Sequence, residues 1–252
     1  MRDKITTYDN LLRLQAELSF RHEAFLFRTP AWARATTVVD FGSGNSYYVS
    51  RLAEQFPDKS FTCIENDAQL SALARARYPH RNIAFVSGTY GDAPTELRYD
   101  FLLARLALSY LSDRAALCDW AAQHATAGAT VLVVDADDDN RIIQPKLPLF
   151  EGGISRFETE LAAAGGRRRL IDAITEDLQR VGCQHVDTHR LIIHSDVPFL
   201  KESFYVYMCL VAEMDHGSPL PAELAEELFA WVISADSFAQ YGLFASLFQF
   251  PS

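Results

Sequence analysis

The chain is 252 residues long and 49% hydrophobic, with 33 acidic against 23 basic residues and a formal net charge of −10. That length admits two small domains, but no Pro/Gly/Ser-rich linker divides it, so one α/β domain with appended helices is expected. The acidic balance, with no basic stripe to offset it, argues against a nucleic-acid backbone as substrate and favours a small or uncharged one. The four cysteines, Cys63, Cys118, Cys183 and Cys209, form no Cys-x-x-Cys pair and read as reduced core residues. Met1-Arg2-Asp3-Lys4 leads into a polar helix, and Arg105 interrupts the most apolar run, Phe101 to Leu108. A soluble, cytoplasmic protein without membrane association is expected.

From Tyr8 to about Phe27, Leu11, Leu12, Leu14, Leu18 and Phe25 recur at near-helical spacing, and Thr29-Pro30 closes the segment. This predicts a helical arm ahead of the sheet, in which Tyr8, Phe20 and Arg21 could cover a ligand although packing is the weightier role. Thr36 to Tyr48 then reads TTVVDFGSGNSYY: a buried strand, a turn freed by Gly42 and Gly44, and a helix from about Asn45 to Gln55. The first turn of that helix would point unpaired N–H groups at a ligand. The next strand, Ser60 to Ile64, ends in Glu65, about twenty residues past the glycines, where a carboxylate could accept hydrogen bonds from both ribose hydroxyls.

A helix over Ala68 to Tyr78, a strand over Asn82 to Val86, a loop over Ser87 to Pro94 and a strand over Phe101 to Ala104 follow. Ser112 is the predicted cap of a helix from Asp113 to His124, stopped by Gly128, and a buried strand runs from Thr130 to Val134. The segment from Arg141 to Gly166 is irregular around a helix at Arg156 to Ala164. An amphipathic helix from Leu170 to Val181, a strand from His185 to His194, an aromatic segment from Pro198 to Glu213, a helix from Glu223 to Ser234 and a strand from Tyr241 to Phe250 complete the pattern.

The blocks VVDFGSGNS, CIENDAQLSALARAR, FVSGTYGD and YDFLLARLALSYL, in this order and spacing, resemble the class I S-adenosylmethionine-dependent methyltransferases. The resemblance covers roughly Thr36 to Asp135 and continues more loosely to the C-terminus. It implies a Rossmann-like α/β fold, a seven-stranded mostly parallel sheet with its last strand antiparallel, an N-terminal helical arm and a C-terminal helical cap. The corresponding boundaries are an arm at 1–33, a core at 34–195, cap helices at 196–238 and a terminal strand at 239–252. It also implies S-adenosylmethionine as cofactor, held by Asp40, Gly42, Ser43, Gly44, Tyr47, Glu65, Asn66, Thr89, Tyr90 and Arg105. Two positions depart from the family pattern: Ser46 replaces the third loop glycine, and Thr89 the usual acid after the third strand.

Asp135, Asp137 and Asp139 alternate like calcium-loop ligands, but Asn140 stands where the turn glycine belongs and Lys146 where the bidentate Glu belongs, so a solvated loop is expected. Asp139-Asn140 resembles the magnesium pair of catechol-type methyltransferases, yet Arg105 stands where those place a further acid. His185 and His189 would lie about 13 Å apart along a strand, which excludes a shared zinc. Arg167-Arg168-Arg169 reads as a solvated face or an anion grip. Methyl transfer asks mainly for alignment and desolvation, so no fixed triad is expected. The candidates for acceptor chemistry are Asn140, His194 as a base, Glu202, Ser203 and Tyr205, with Tyr47, Phe204 or Tyr205 facing the sulfonium. The expected partner is a small molecule, and the oligomeric state is open. The alternatives are attack on the cofactor's own aminobutyryl chain, as in azetidine-forming synthases, and a non-catalytic subunit that retains the fold.

Overall fold

Strands with apolar side chains on both faces need cover on both sides, and successive residues of the central strands here enter separate cores. Val38, Phe101, Leu103, Leu132 and Val134 join one apolar cluster, and Val39, Leu102, Ala104, Val131 and Val133 join the other. The computed structural model describes residues 3–252, so Met1 and Arg2 of the N-terminal tetrapeptide lie outside the described residues. In order the elements are α1 (Lys4–Glu23), α2 (Pro30–Arg34), β1 (Thr37–Phe41), α3 (Tyr47–Gln55), β2 (Ser60–Glu65), α4 (Ala68–Arg77), β3 (Ile83–Ser87), β4 (Tyr99–Arg105) and α5 (Arg114–His124). The second half comprises β5 (Ala125–Ala136), β6 (Ile142–Gln144), α6 (Pro148–Ala163), α7 (Ile171–Arg180), β7 (Gln184–His194), α8 (Pro198–His216), α9 (Ala222–Ile233) and β8 (Phe238–Gln249).

The sheet order is β3-β2-β1-β4-β5-β8, with β7 on the far side of β8. The first five strands pair in parallel, whereas β8 is antiparallel to both β5 and β7. This is the mostly parallel Rossmann-like sheet expected, with its last strand inserted between parallel neighbours. An eighth strand, β6, was not foreseen; it continues β5 along the same side of β8 after a 3-10 turn at Asp138–Asn140.

One core packs α1, α3, α8 and α9 onto the sheet, through residues such as Phe20, Leu52, Met208 and Trp231. The other packs α5 and α7 through Leu117, Trp120, Ile174 and Leu178. Asp113, and not Ser112, caps α5 by accepting the Ala116 N–H at 3.0 Å. That helix stops at His124 without a glycine, and Gly128 lies within β5 at a φ of +74°. The helix foreseen at Arg156 begins eight residues earlier, at Pro148, whose fixed φ suits a first helical position. Cys63, Cys118 and Cys183 are buried thiols, Cys209 is half-buried, and none forms a disulfide. Among the described residues no helix is long and apolar enough to cross a membrane.

The Asp100 carboxylate joins three strands at their start. It accepts the Thr36 N–H at 2.9 Å, the Thr36 hydroxyl at 2.8 Å, the Thr37 N–H at 3.0 Å and the Thr126 hydroxyl at 2.9 Å. These donors hold its pKa well below the usual carboxylate range against the opposing effect of desolvation. Asp100→Ala is therefore expected to cost about 1–3 kcal/mol in urea unfolding at pH 7. Because the folded-state pKa is depressed, this contribution is complete above the unfolded carboxylate pKa and shrinks as pH falls below about 4. The gap between wild type and variant should close over that range.

Candidate active site

The C-terminal ends of β1, β2 and β4 meet at the glycine turn. Gly42 has a φ of +69°, and a Cβ there would come within 2.5 Å of the Ala107 Cβ; at Gly44, φ +54°, it would meet Leu12 of α1 at 2.9 Å. Gly42 and Ser43 donate their N–H groups to the Ile64 carbonyl at 2.9 and 3.1 Å, which ties the turn to β2. Ser46, at the third glycine position, is itself left-handed, with a φ of 55°. The helix predicted from about Asn45 therefore begins at Tyr47, and holding a residue with a Cβ in this conformation costs about 1–2 kcal/mol.

Glu65 turns toward this bend, accepting the Gly44 N–H at 2.7 Å on one oxygen and the Asp67 N–H at 2.8 Å on the other. Burial raises its pKa, while the amides of Asp67 and Gly44 pull the other way. Asp40, on β1, is 4% exposed, and burial pushes it up to about 8 despite the opposing charge of Arg105. Arg105, at the end of β4, reaches up to α1: its Nε lies 3.0 Å from one oxygen of Glu23 and 3.1 Å from the other, and its guanidinium lies 4.5 Å over the Tyr48 ring. Ser19 and the Tyr48 hydroxyl complete the cluster.

Around these groups lies a cleft of 210 Å³, lined also by Phe41, Ile64, Tyr90 and Leu111, an apolar slot suited to a flat ring. Tyr90 packs between Phe41 and Trp120, with both ring centroids at 6.1 Å. The nearby acid, Asp92, turns back to accept the Thr89 N–H at 2.8 Å and does not line the slot. A second cavity of 510 Å³ opens beside the cleft, walled by α1, α6, α8 and β8. The two share Tyr8, Leu12, Gln15, Leu106 and Tyr110, so one end of α1 roofs both.

All the expected cofactor residues except Tyr47 line the cleft. Successive helical residues point about 100° apart. Tyr48 therefore faces the cleft, while the Tyr47 hydroxyl reaches Glu17 and Arg51 at the surface. The five acceptor-side candidates line neither cavity. The Asn140 amide donates to Asp137 at 2.7 Å, and His194 sits 2.9 Å from Asp196 with its ring stacked on Phe238. The Ser203 hydroxyl donates to the Phe199 carbonyl at 3.0 Å. Ser203, Tyr205 and Glu202 fall outside the part of α8 that faces the chamber, which includes Phe204, Tyr207, Met208 and Val211.

Of the arm residues, Tyr8 lines both cavities, Phe20 is core and Arg21 is exposed. Sequence reasoning missed Gln15, Asn45, Tyr110, Asp135, Arg168, Tyr207 and Tyr241. The helical spacing of Tyr8, Leu12 and Gln15 was the available signal for the first of these. The acidic run is only partly solvated: Asp135 is buried, and Asp137 and Asp138 pair with Arg190 and Arg168. Arg168 is accordingly drawn inward onto Asp138, which departs from the solvated-face alternative for the arginine triplet. Among the described residues no group of three or more His, Cys, Asp or Glu side chains is arranged to hold a metal ion.

Gly42→Ala is expected to lower unfolding stability by about 2 kcal/mol or more, since the new methyl meets Ala107 and the backbone is left-handed. Glu23→Ala leaves a buried guanidinium without its partner and should cost about 3–5 kcal/mol, most of it recovered in a Glu23→Leu, Arg105→Met double variant. Urea titration checks both.

Residues 38–128 match the family model of a methyltransferase domain. No curated protein sequence matches the chain. Among solved structures, a Galdieria sulphuraria protein proposed to be a sarcosine dimethylglycine methyltransferase superposes with a TM-score of 0.60 at 14% identity, covering 92% of this chain and 85% of that one. Haemonchus contortus phosphoethanolamine N-methyltransferase 2, solved with phosphomonomethylethanolamine and S-adenosylhomocysteine, gives 0.57 at 14% identity over 92% of this chain and 52% of its own. The N-methyltransferase NodS of Bradyrhizobium japonicum gives 0.53 at 13%, covering 92% and 95%. The matched segment holds the glycine turn and the acid closing β2, and the chain shares the fold of these methyltransferases, antiparallel last strand included.

Proposed function

We propose that the protein transfers a methyl group from S-adenosylmethionine to a small molecule held in the 510 Å³ chamber. The observation that carries this reading is the pair of adjoining cavities under one helix: a cleft with glycines and buried acids, and a larger chamber with a mostly apolar wall. The residues present suit the cofactor. Glu65 would take the ribose hydroxyls, Asn66 the edge beside them, and Phe41, Ile64 and Tyr90 the adenine. Asp40 and the open backbone at Gly42 and Gly44 would face its cationic end.

The bound cofactor supplies an already activated methyl group on a sulfonium. What remains for the chain is to hold an acceptor in line and exclude water. Leu106, Tyr110 and the α1 residues Tyr8 and Gln15 stand at the junction where the two ligands would meet. Intramolecular ring closure would leave a separate chamber of this size without a use, which favours an external acceptor.

Incubation with S-adenosylmethionine and a metabolite library, read by mass spectrometry, should yield S-adenosylhomocysteine and a product 14 Da heavier than its acceptor. Methylthioadenosine as the product would replace this reading with cyclisation, and absence of cofactor affinity would leave a non-catalytic subunit. Glu65→Gln is expected to weaken S-adenosylhomocysteine binding about 10–100-fold by calorimetry. A cationic ligand favours ionised Asp40, so binding should release a proton and tighten as pH rises from 6 toward about 8. Asp40→Asn should flatten that dependence.

A further inference from the structure

Asp135 closes β5 and is 1% exposed, yet it contributes to the wall of the large chamber. Its carboxylate is held by neutral donors: the Ser109 hydroxyl at 2.8 Å, the Ala136 N–H at 2.8 Å and the Ser109 N–H at 3.3 Å. Arg168 is near enough to act on it electrostatically but is committed to Asp138, with its Nε 2.7 Å from one oxygen and its terminal nitrogen on the other. One buried negative charge is therefore left without a dedicated counter-ion.

Tyr110 and Tyr241 lie within electrostatic reach of this charge, and Tyr207 lines the chamber with them. Tyr207 and Tyr241 lie 6.0 Å apart, and Tyr110, 54% exposed into the cavities, packs against Phe157 at 6.1 Å. The rest of the wall is largely aliphatic and aromatic, including Ile154, Phe204 and Met208. A buried carboxylate near tyrosine rings stabilises a cation, whereas an anionic ligand would meet that carboxylate in a chamber whose lysine and arginine residues are Lys4, Arg141, paired with Glu158 at 3.6 Å, and Arg168, paired with Asp138. We propose that the acceptor is an amine, docked as its cation against Asp135 and the tyrosines of the chamber wall, with an apolar body lying along α6 and α8. Before transfer it would pass one proton to the Asp135 carboxylate, so that the freed nitrogen lone pair takes the methyl group as the sulfur–methyl bond breaks and the neutral thioether leaves.

This rests on reading the chamber as the acceptor site of a methyltransferase, and the test separates the two. Calorimetry with 3-phenylpropylamine, 3-phenylpropanol and 3-phenylpropionate, on protein with and without S-adenosylhomocysteine, compares one apolar body carrying three polar ends. The amine should bind at least about tenfold more tightly than the other two. Asp135→Asn should erase that preference while leaving S-adenosylhomocysteine affinity unchanged. If that variant does not fold, Tyr241→Leu should reduce the amine preference about threefold or more. Equal affinities, tighter binding of the acid, no binding of the amine, or a preference that survives both substitutions would overturn the proposal. Amine selectivity in a protein without affinity for S-adenosylhomocysteine would uphold the amine site and overturn the methyltransferase reading.

Discussion

The Glu23 carboxylate, fully buried, is the point from which α1 is hung over the sheet. Two oxygens cannot sit in an apolar core unless a cation meets them, and Arg105, projecting from the end of β4, does so with several N–H donors. At the other end of α1, Asp9 accepts the Asn45 side-chain amide at 2.8 Å and pairs with Arg77 of α4. The helix is thus fastened both to the strand that floors the cleft and to the loop that forms its rim. Fixed in this way, its inner face, Tyr8, Leu12 and Gln15, becomes a shared roof, and the second cavity exists because α6 and α8 pack around what α1 leaves open.

The interior of this roofed space is acidic. Asp40, Glu65 and Asp135 are each buried at the end of a strand, where parallel sheets present their ligands, and each meets mainly neutral donors or a cation already shared. Desolvation opposes ionisation of all three. A ligand that brings positive charge relieves that penalty, so the chain invests stability in carboxylates whose full compensation arrives with the bound molecule. The same sites give an anionic ligand little to hold.

Most of the residues that line the smaller cleft were legible because they are local in sequence. The glycine turn, the acid closing β2 and the loop after β3 lie on consecutive strands, and register alone brings their ends together. Tyr47 shows the limit: one residue of helical phase, unreadable until the helix start is fixed, sends Tyr48 inward in its place. The lining of the larger chamber was not legible, since Asn140, His194 and Ser203 satisfy neighbours near their own positions in the chain, whereas Tyr207, Tyr241 and Arg168 meet only through the packing of α8, β8 and the loop before α7. The acidic run after β5 reads as uniform in sequence, yet strand direction buries Asp135 and leaves Asp139 at the surface.

The account turns on Glu65 facing the glycine bend as a ligand site and not as a structural brace. A crystal structure with S-adenosylhomocysteine decides this most directly. The expected result is adenosine in the 210 Å³ cleft, with the Glu65 carboxylate within hydrogen-bond distance of both ribose hydroxyls. Adenosine bound elsewhere, or Glu65 still closed on Gly44 and Asp67 without touching the ribose, would contradict it.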